Sequence, residues 1–201
     1  SFINRGSATV VGTAFDRTLE QAGCQFCGAC VDVCPTGALL DDKNRWRHLP
    51  DDEVVTVCPY CGVGCQLILE IQNNKIIRSV PDNAGPANLG QACVKGRFGM
   101  DYVHNDGRLT APLIKKNGKF TEATWDQALD LIAKKFSEYD GGQFASVSSA
   151  KATNEENYLM QKFTRVVMGT NNIDHCARLC HSPTVTGLFT AFGSGAMTNS
   201  I

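Results

Sequence analysis

The sequence predicts a mixed fold, α+β with an α/β portion, in three successive parts. Three observations carry this expectation. Cysteines recur at 24, 27, 30 and 34 and again at 58, 61, 65 and 93, in spacings suited to iron–sulfur clusters. An alternating apolar pattern after Cys65 turns at a pair of asparagines, as a β-hairpin does. A short apolar run before residue 150 is followed by a capped helix, the signature of an α/β unit. The expected parts are a ferredoxin-like two-cluster module over 1–50, incomplete at its N-terminal side, a small β-rich [4Fe–4S] domain over 51–107, and the beginning of an α/β domain over 108–201.

The first part is built around Cys24-Gln-Phe-Cys27-Gly-Ala-Cys30-Val-Asp-Val-Cys34-Pro35. This is the C-x2-C-x2-C-x3-C-P run of bacterial ferredoxins, in which the fourth cysteine ligates the other cluster of a pair. Cys24, Cys27 and Cys30 are thus expected to hold one cluster and Cys34 to reach a second. No matching run follows, so its partner is expected upstream of Ser1, and residues 8–15 are taken as the tail of a domain already under way. Residues 41–53 are rich in charge and suggest a linker, with His48 a solvated histidine.

The second part carries Cys58-Pro-Tyr-Cys61-Gly-Val-Gly-Cys65, then 27 residues, then Cys93-Val-Lys95-Gly-Arg97. Four thiolates satisfy a cubane [4Fe–4S] cluster, and Gly62 and Gly64 let the backbone curl so that close-spaced sulfurs converge. Zinc is the rival, but four-cysteine zinc sites favour two C-x2-C knuckles, whereas this set is a triplet and a singleton. Leu67, Leu69 and Ile71 alternate before Gln72-Asn-Asn-Lys75 and Ile76-Ile77, which predicts a hairpin. Lys95, two residues beyond Cys93, lies close to the cluster: either a solvated lysine or a fixed positive charge on the electron path.

In the third part, Lys116-Asn-Gly-Lys119 predicts a second hairpin. Thr124 and Gln127 form a capping box for a helix presenting Trp125, Ala128, Leu129, Ile132 and Phe136, ended by Gly141-Gly142. Residues 144–149 predict a short buried strand. Thr153 and Glu156 cap a further helix over 155–168, with Gly169 at its end. Ligands of open α/β sheets bind at the carboxyl ends of strands. That crevice contains Ser148, Ser149, Lys151 and Asn154, where a nucleotide-bearing cofactor would fit. The stretch His175-Cys176-Ala-Arg-Leu-Cys180-His181 permits a zinc site, a Cys–His nucleophile, or one thiolate on a soft metal with a histidine moving a proton. Spacing does not choose among these.

The 201 residues carry a net charge of −1, so there is no electrostatic case for nucleic acid or an anionic membrane. No apolar run has membrane-spanning length. Eight of the ten cysteines complete metal-type spacings, which favours metals over disulfides and a reducing, cytoplasmic setting. No signal peptide is visible, and Ser1 is not an initiator methionine.

The run of Cys58, Cys61, Cys65 and Cys93 with Lys95-Gly-Arg97 resembles the N-terminal cluster domain of molybdenum and tungsten enzymes carrying bis-molybdopterin guanine dinucleotide. Thr153-Asn-Glu-Glu-Asn-Tyr158 and Asp174-His-Cys-Ala-Arg-Leu-Cys180-His181-Ser resemble the catalytic subunit of formate dehydrogenase. The ferredoxin run resembles the extended, cytoplasmic, NAD-linked or hydrogenase-linked forms. The resemblance implies an oxidoreductase interconverting formate and CO2, with Cys180 the protein ligand to Mo or W, His181 its proton partner, and Lys95 the bridge between cluster and pterin. Many relatives have selenocysteine where this chain has Cys180. The resemblance also implies iron–sulfur or flavin partner subunits, and a partial chain whose catalytic arginine and much of whose cofactor cage lie beyond Ile201. The alternatives are an electron-transfer subunit related to complex I without molybdenum, against which Cys180-His181 argues, and another pterin enzyme such as a nitrate reductase.

Overall fold

The structure, a computed structural model, describes residues 2–42 and 49–195, so His48 lies outside the described residues. The chain divides into two compact units, Ser1–Arg108 and Leu109–Ile201.

In the first unit, β1 (Phe2–Ile3) pairs antiparallel with β2 (Val10–Val11). The ferredoxin-type run follows in largely irregular chain, with one helical turn, α1 (Ala29–Asp32). Next comes an antiparallel three-stranded sheet, β3 (Asp52–Val57), β4 (Gln66–Gln72) and β5 (Lys75–Pro81), with β4 in the centre. Asn73 and Asn74 both adopt left-handed φ, +50° and +60°, as a two-residue hairpin turn demands. The chain then returns through a loop to α2 (Val94–Phe98) and a 3-10 turn over Met100–His104. His104 Nε2 accepts the Ile76 N–H at 2.9 Å, tying this turn to β5.

The strand β3 is a difference from the sequence expectation, because it begins inside the charged stretch taken as a linker. Its run Val54-Val-Thr-Val57 suits a strand, but the preceding acidic residues mask the period. As an edge strand it also keeps most side chains exposed, so its apolar residues need not alternate.

In the second unit, β6 (Leu113–Lys116) and β7 (Lys119–Glu122) form the expected hairpin about Asn117 and Gly118. Helix α3 (Trp125–Phe136) opens on the complete Thr124–Gln127 capping box and closes at Ser137, before Gly141 and Gly142. Next, β8 (Ser146–Ser148) leads into α4 (Asn154–Lys162), which opens on the Thr153–Glu156 capping box. Last come β9 (Ile173–His175), parallel to β8, then α5 (Ala177–Cys180) and α6 (Ser182–Phe192). Phe136, Phe144 and Phe163 gather with ring centroids 5.5–6.0 Å apart.

Two details depart from the expectations. The strand at 144–149 is shorter and not buried: Val147 is 70% exposed. The helix expected over 155–168 is α-helical only to Lys162, then widens into a π-helical turn over Phe163–Val167. Thr164 explains where the register changes. It is fully buried, and its hydroxyl bonds the Met160 carbonyl at 2.9 Å and Ser146 Oγ at 2.7 Å, while Met168 N–H reaches Phe163 O at 3.1 Å. Among the described residues, no helix is long and apolar enough to cross a membrane.

Candidate functional site

Three groups of residues bear the expected chemistry. The first is the thiol set of the small sheet. The register that pairs Val57 with Gln66 carries into a bond from Cys58 N–H to Cys65 O at 2.8 Å, so the triplet curls back on itself just past the sheet. Gly64 makes the curl with φ +76°. Cys93 arrives at the start of α2, which is held against β5 by a buried bond from Ser79 Oγ to Gly96 O at 2.8 Å. Tyr60 Oη donates to the Gly99 carbonyl beyond the same helix.

The four sulfurs are electrostatic neighbours. Burial pushes the Cys58 thiol up from its ordinary value, and the negative charge on Cys65, Cys61 and Cys93 pushes it further. The Cys65 thiol is raised for the same reasons, burial first and then Cys61 and Cys93. Cys58 is also part of the core, packed with Leu67 and Met100 and flanked by Tyr60, Cys65, Leu69, Ile76 and Ala92. Four thiols whose charges repel one another, at the edge of a small core, are a donor set that a cationic iron–sulfur cluster relieves. Among the described residues no three His, Cys, Asp or Glu side chains converge on the point that a single ion would occupy. Lys95 is exposed on the helix that begins after Cys93.

The second group is the ferredoxin-type run. Cys24 and Cys30 line a cavity of about 530 Å3, together with Leu19, Phe26, Arg97 and Phe98. Cys24 Sγ accepts the Phe26 N–H at 3.3 Å. Cys34 stands in a different environment. Hydrogen bonds from the Leu39 backbone and the Thr36 hydroxyl lower its thiol to about 7.

The third group lies at the carboxyl ends of β8 and β9. Ser148 Oγ bonds Asn157, and Ser149 Oγ accepts the Lys151 N–H at 3.0 Å. Asn157 Nδ2 donates to the Ser149 and Thr153 carbonyls at 3.1 and 3.0 Å, so one α4 side chain braces the whole β8–α4 loop. Sequence reasoning missed Asn157 as a positioning residue; the signal available was its place one turn inside the capped helix. Lys151 and Asn154 are exposed at the loop and at the first position of α4.

Cys176 is half-buried rather than the buried structural thiol that a spare cysteine ordinarily becomes. Its sulfur accepts the Ala150 N–H at 3.4 Å and lies 3.8 Å from Ser149 Oγ. These two bonds, in that order, lower its thiol from the ordinary value. Cys180 follows one helical turn later, its N–H bonded to Cys176 O at 3.1 Å, and its side chain is exposed. His181 is also exposed, at the junction of α5 and α6. Arg178 pairs with Asp174 at 3.1 Å across this segment. The fold thus puts Cys176, Cys180 and the Ser148–Ser149 segment at one strand end, with the Cys180 thiol open to an incoming ligand. An accessible thiol beside a polar strand-end loop fits a soft metal carried on a nucleotide-bearing pterin.

The 4Fe-4S binding domain matches residues 20–40, the molybdopterin oxidoreductase Fe4S4 domain matches 51–105, and the molybdopterin oxidoreductase domain matches 108–201. The chain belongs to the molybdopterin oxidoreductase family. Its cofactors are therefore [4Fe–4S] clusters and molybdopterin.

Among curated relatives it is similar to F420-dependent formate dehydrogenase 2 subunit alpha of Methanococcus maripaludis, 55% identical over 148 residues, which are 74% of this chain and 22% of the relative. The F420-dependent formate dehydrogenase 1 subunit alpha of the same organism is 51% identical over 75% of this chain and 22% of its own length. The F420-dependent formate dehydrogenase subunit alpha of Methanocaldococcus jannaschii is 52% identical over 74% of this chain and 22% of its own length. The chain spans about a fifth of the length of these relatives.

Proposed function

We propose that this chain is the N-terminal part of a formate dehydrogenase catalytic subunit that interconverts formate and CO2. The observation that carries the proposal is the pairing of one exposed thiol and imidazole, Cys180 and His181, with two cysteine sets in a single molybdopterin oxidoreductase chain. Oxidation of formate to CO2 releases two electrons and one proton. The Mo- or W-bis-molybdopterin guanine dinucleotide group, when bound, supplies a two-electron acceptor, and the cubane clusters supply one-electron relays. Cys180 would hold the metal through its sulfur. The exposed His181 imidazole beside it takes the proton that leaves formate. Ser148, Ser149, Lys151 and Asn154 would contact the pterin nucleotide, with Asn157 keeping their loop in shape. Cys58, Cys61, Cys65 and Cys93 would hold the near cluster. Lys95 provides a positive charge close to it that favours arrival of an electron.

Cys24, Cys27, Cys30 and Cys34 would hold the clusters that supply the one-electron route out to a partner iron–sulfur or flavin subunit in the cytoplasm. The names of the methanogen relatives support an F420-linked acceptor beside the NAD-linked and hydrogenase-linked forms. The test uses the full-length protein: metal analysis for Mo, W and Fe, then formate oxidation with an artificial acceptor, in the parent and in Cys180→Ser. The expected result is loss of formate oxidation in Cys180→Ser with cluster signals retained. Nitrate turnover in place of formate would favour the nitrate reductase alternative. A parent without Mo or W would return the chain to the class of electron carriers.

A further inference from the structure

Arg97 belongs to neither cysteine set and has no part in the chemistry above. It sits on α2, four residues after Cys93, and only 7% of its side chain is exposed. A guanidinium is buried without large penalty only when it is paired and hydrogen-bonded. Both partners of Arg97 lie in the ferredoxin-type run. Its Nε donates to the Cys27 carbonyl at 2.7 Å, and its terminal nitrogen pairs with Asp32 at 2.5 Å. Asp32 ends α1, between Cys30 and Cys34.

At the other end the arginine is equally fixed. Arg97 N–H donates to the Cys93 carbonyl at 3.1 Å, and Ser79 pins the adjacent Gly96. One residue therefore bonds the backbone of both segments: the guanidinium of Arg97 holds the Cys27 carbonyl and its main-chain N–H holds that of Cys93. Gly28 shows how close the approach is. It has φ +74°, and a Cβ there would overlap Arg97 Cδ and lie 2.9 Å from Phe98 Cζ. Only glycine leaves the run free to settle on the arginine.

We infer that Arg97 is a positioning residue for electron transfer: it clamps the loop bearing Cys24, Cys27 and Cys30 onto the helix that follows Cys93, and so sets the separation of the two clusters. The inference rests on the reading above that both cysteine sets hold clusters. The step it governs is one electron leaving one cluster, which is oxidised, and reaching the other, which is reduced. No bond forms or breaks and no proton moves. Arginine suits the task because its planar fork serves a carbonyl and a carboxylate at once, whereas a lysine ammonium is a single point charge.

The test compares the full-length protein with Arg97→Met, Arg97→Lys, Asp32→Asn and Gly28→Ala. Iron content and the separate cluster signals come first. Magnetic coupling between the two reduced clusters, which weakens steeply with distance, and amide hydrogen exchange over residues 24–33 are the readouts. Arg97→Met should keep both cluster signals, weaken their coupling, and speed exchange in this loop by about tenfold to hundredfold, the range for a hydrogen bond to a charged group. Asp32→Asn and Gly28→Ala should shift both readouts the same way, and Arg97→Lys should restore them only in part. Coupling and exchange equal to the parent in Arg97→Met and Asp32→Asn would overturn the inference. If Arg97→Met fails to assemble, unchanged coupling and exchange in Asp32→Asn and Gly28→Ala would do so. A parent lacking the ferredoxin-type cluster would defeat the cluster reading instead, and loop exchange would still decide whether the clamp exists.

Discussion

Leu67→Ala tests whether the cluster domain owes its stability to a core shared with its ligands. Leu67 is fully buried and packs with Cys58 and Met100, with Tyr60 and Cys65 at the margin. Truncating a wholly buried leucine costs about 2–5 kcal/mol, through lost transfer energy and the void left behind. The void here would open beside Cys58, so the ligand loop loses its backing as well. Taking about 3 kcal/mol, and about 4 °C per kcal/mol for a unit of this size, the melting temperature should fall by roughly 12 °C. Val55→Ala is the control. Val55 is 57% exposed on the edge strand β3, and exposed substitutions stay within about 0.5 kcal/mol. The assay follows loss of the cluster chromophore and of far-ultraviolet dichroism with temperature in the full-length holoprotein. Bleaching should move down with unfolding in Leu67→Ala. A shift no larger than that of Val55→Ala would refute the shared core, as would bleaching that moves while the dichroism transition stays in place.

Three further outcomes are expected. Cys34→Ser should remove a cluster signal other than the one lost in Cys27→Ser, as measured by electron paramagnetic resonance; loss of the same signal in both would mean that the run closes on a single cluster. Thr153→Ala should destabilise the second unit by about 1 kcal/mol, because the capping box at α4 loses its side-chain acceptor; chemical denaturation measures it against Lys162→Ala, an exposed control on the same helix. In a Cys180→Ser background, alkylation of Cys176 should turn on at a lower pH than for an ordinary thiol, since its thiol is lowered by the Ala150 N–H and then Ser149. By linkage this lowered group adds stability above its unfolded value and loses it as pH falls through the folded one. An alkylation midpoint at or above the ordinary thiol value would contradict the hydrogen bonds to its sulfur.

Much of the local structure was legible in the sequence because its causes are local. The Asn73–Asn74 and Asn117–Gly118 turns, the Thr124 and Thr153 capping boxes and the cysteine spacings each act within a few residues. The same holds for the family resemblance, which rests on contiguous motifs. The short strand β9 escaped notice because a three-residue strand is defined by its partner β8 and has no period of its own. The strand β3 was hidden by the acidic residues that open it, and the π-helical turn by Thr164, whose buried hydroxyl answers to Ser146, eighteen residues away.

By itself, then, the sequence determined which thiols are available, where hairpins turn and where helices begin, since these depend on neighbours along the chain. Only the tertiary structure decided that Cys58 belongs to the core, that Asn157 braces the strand-end loop, and that Cys176 accepts the Ala150 N–H. It alone decided that Arg97 bonds Cys27 and Asp32. Cys27 and Arg97 are 70 residues apart, and no local preference distinguishes a buried, paired arginine from a solvated one. Burial and hydrogen-bond partnership are properties of the folded contact, because the cost of removing a charge from water is offset only by the groups that the fold brings to meet it.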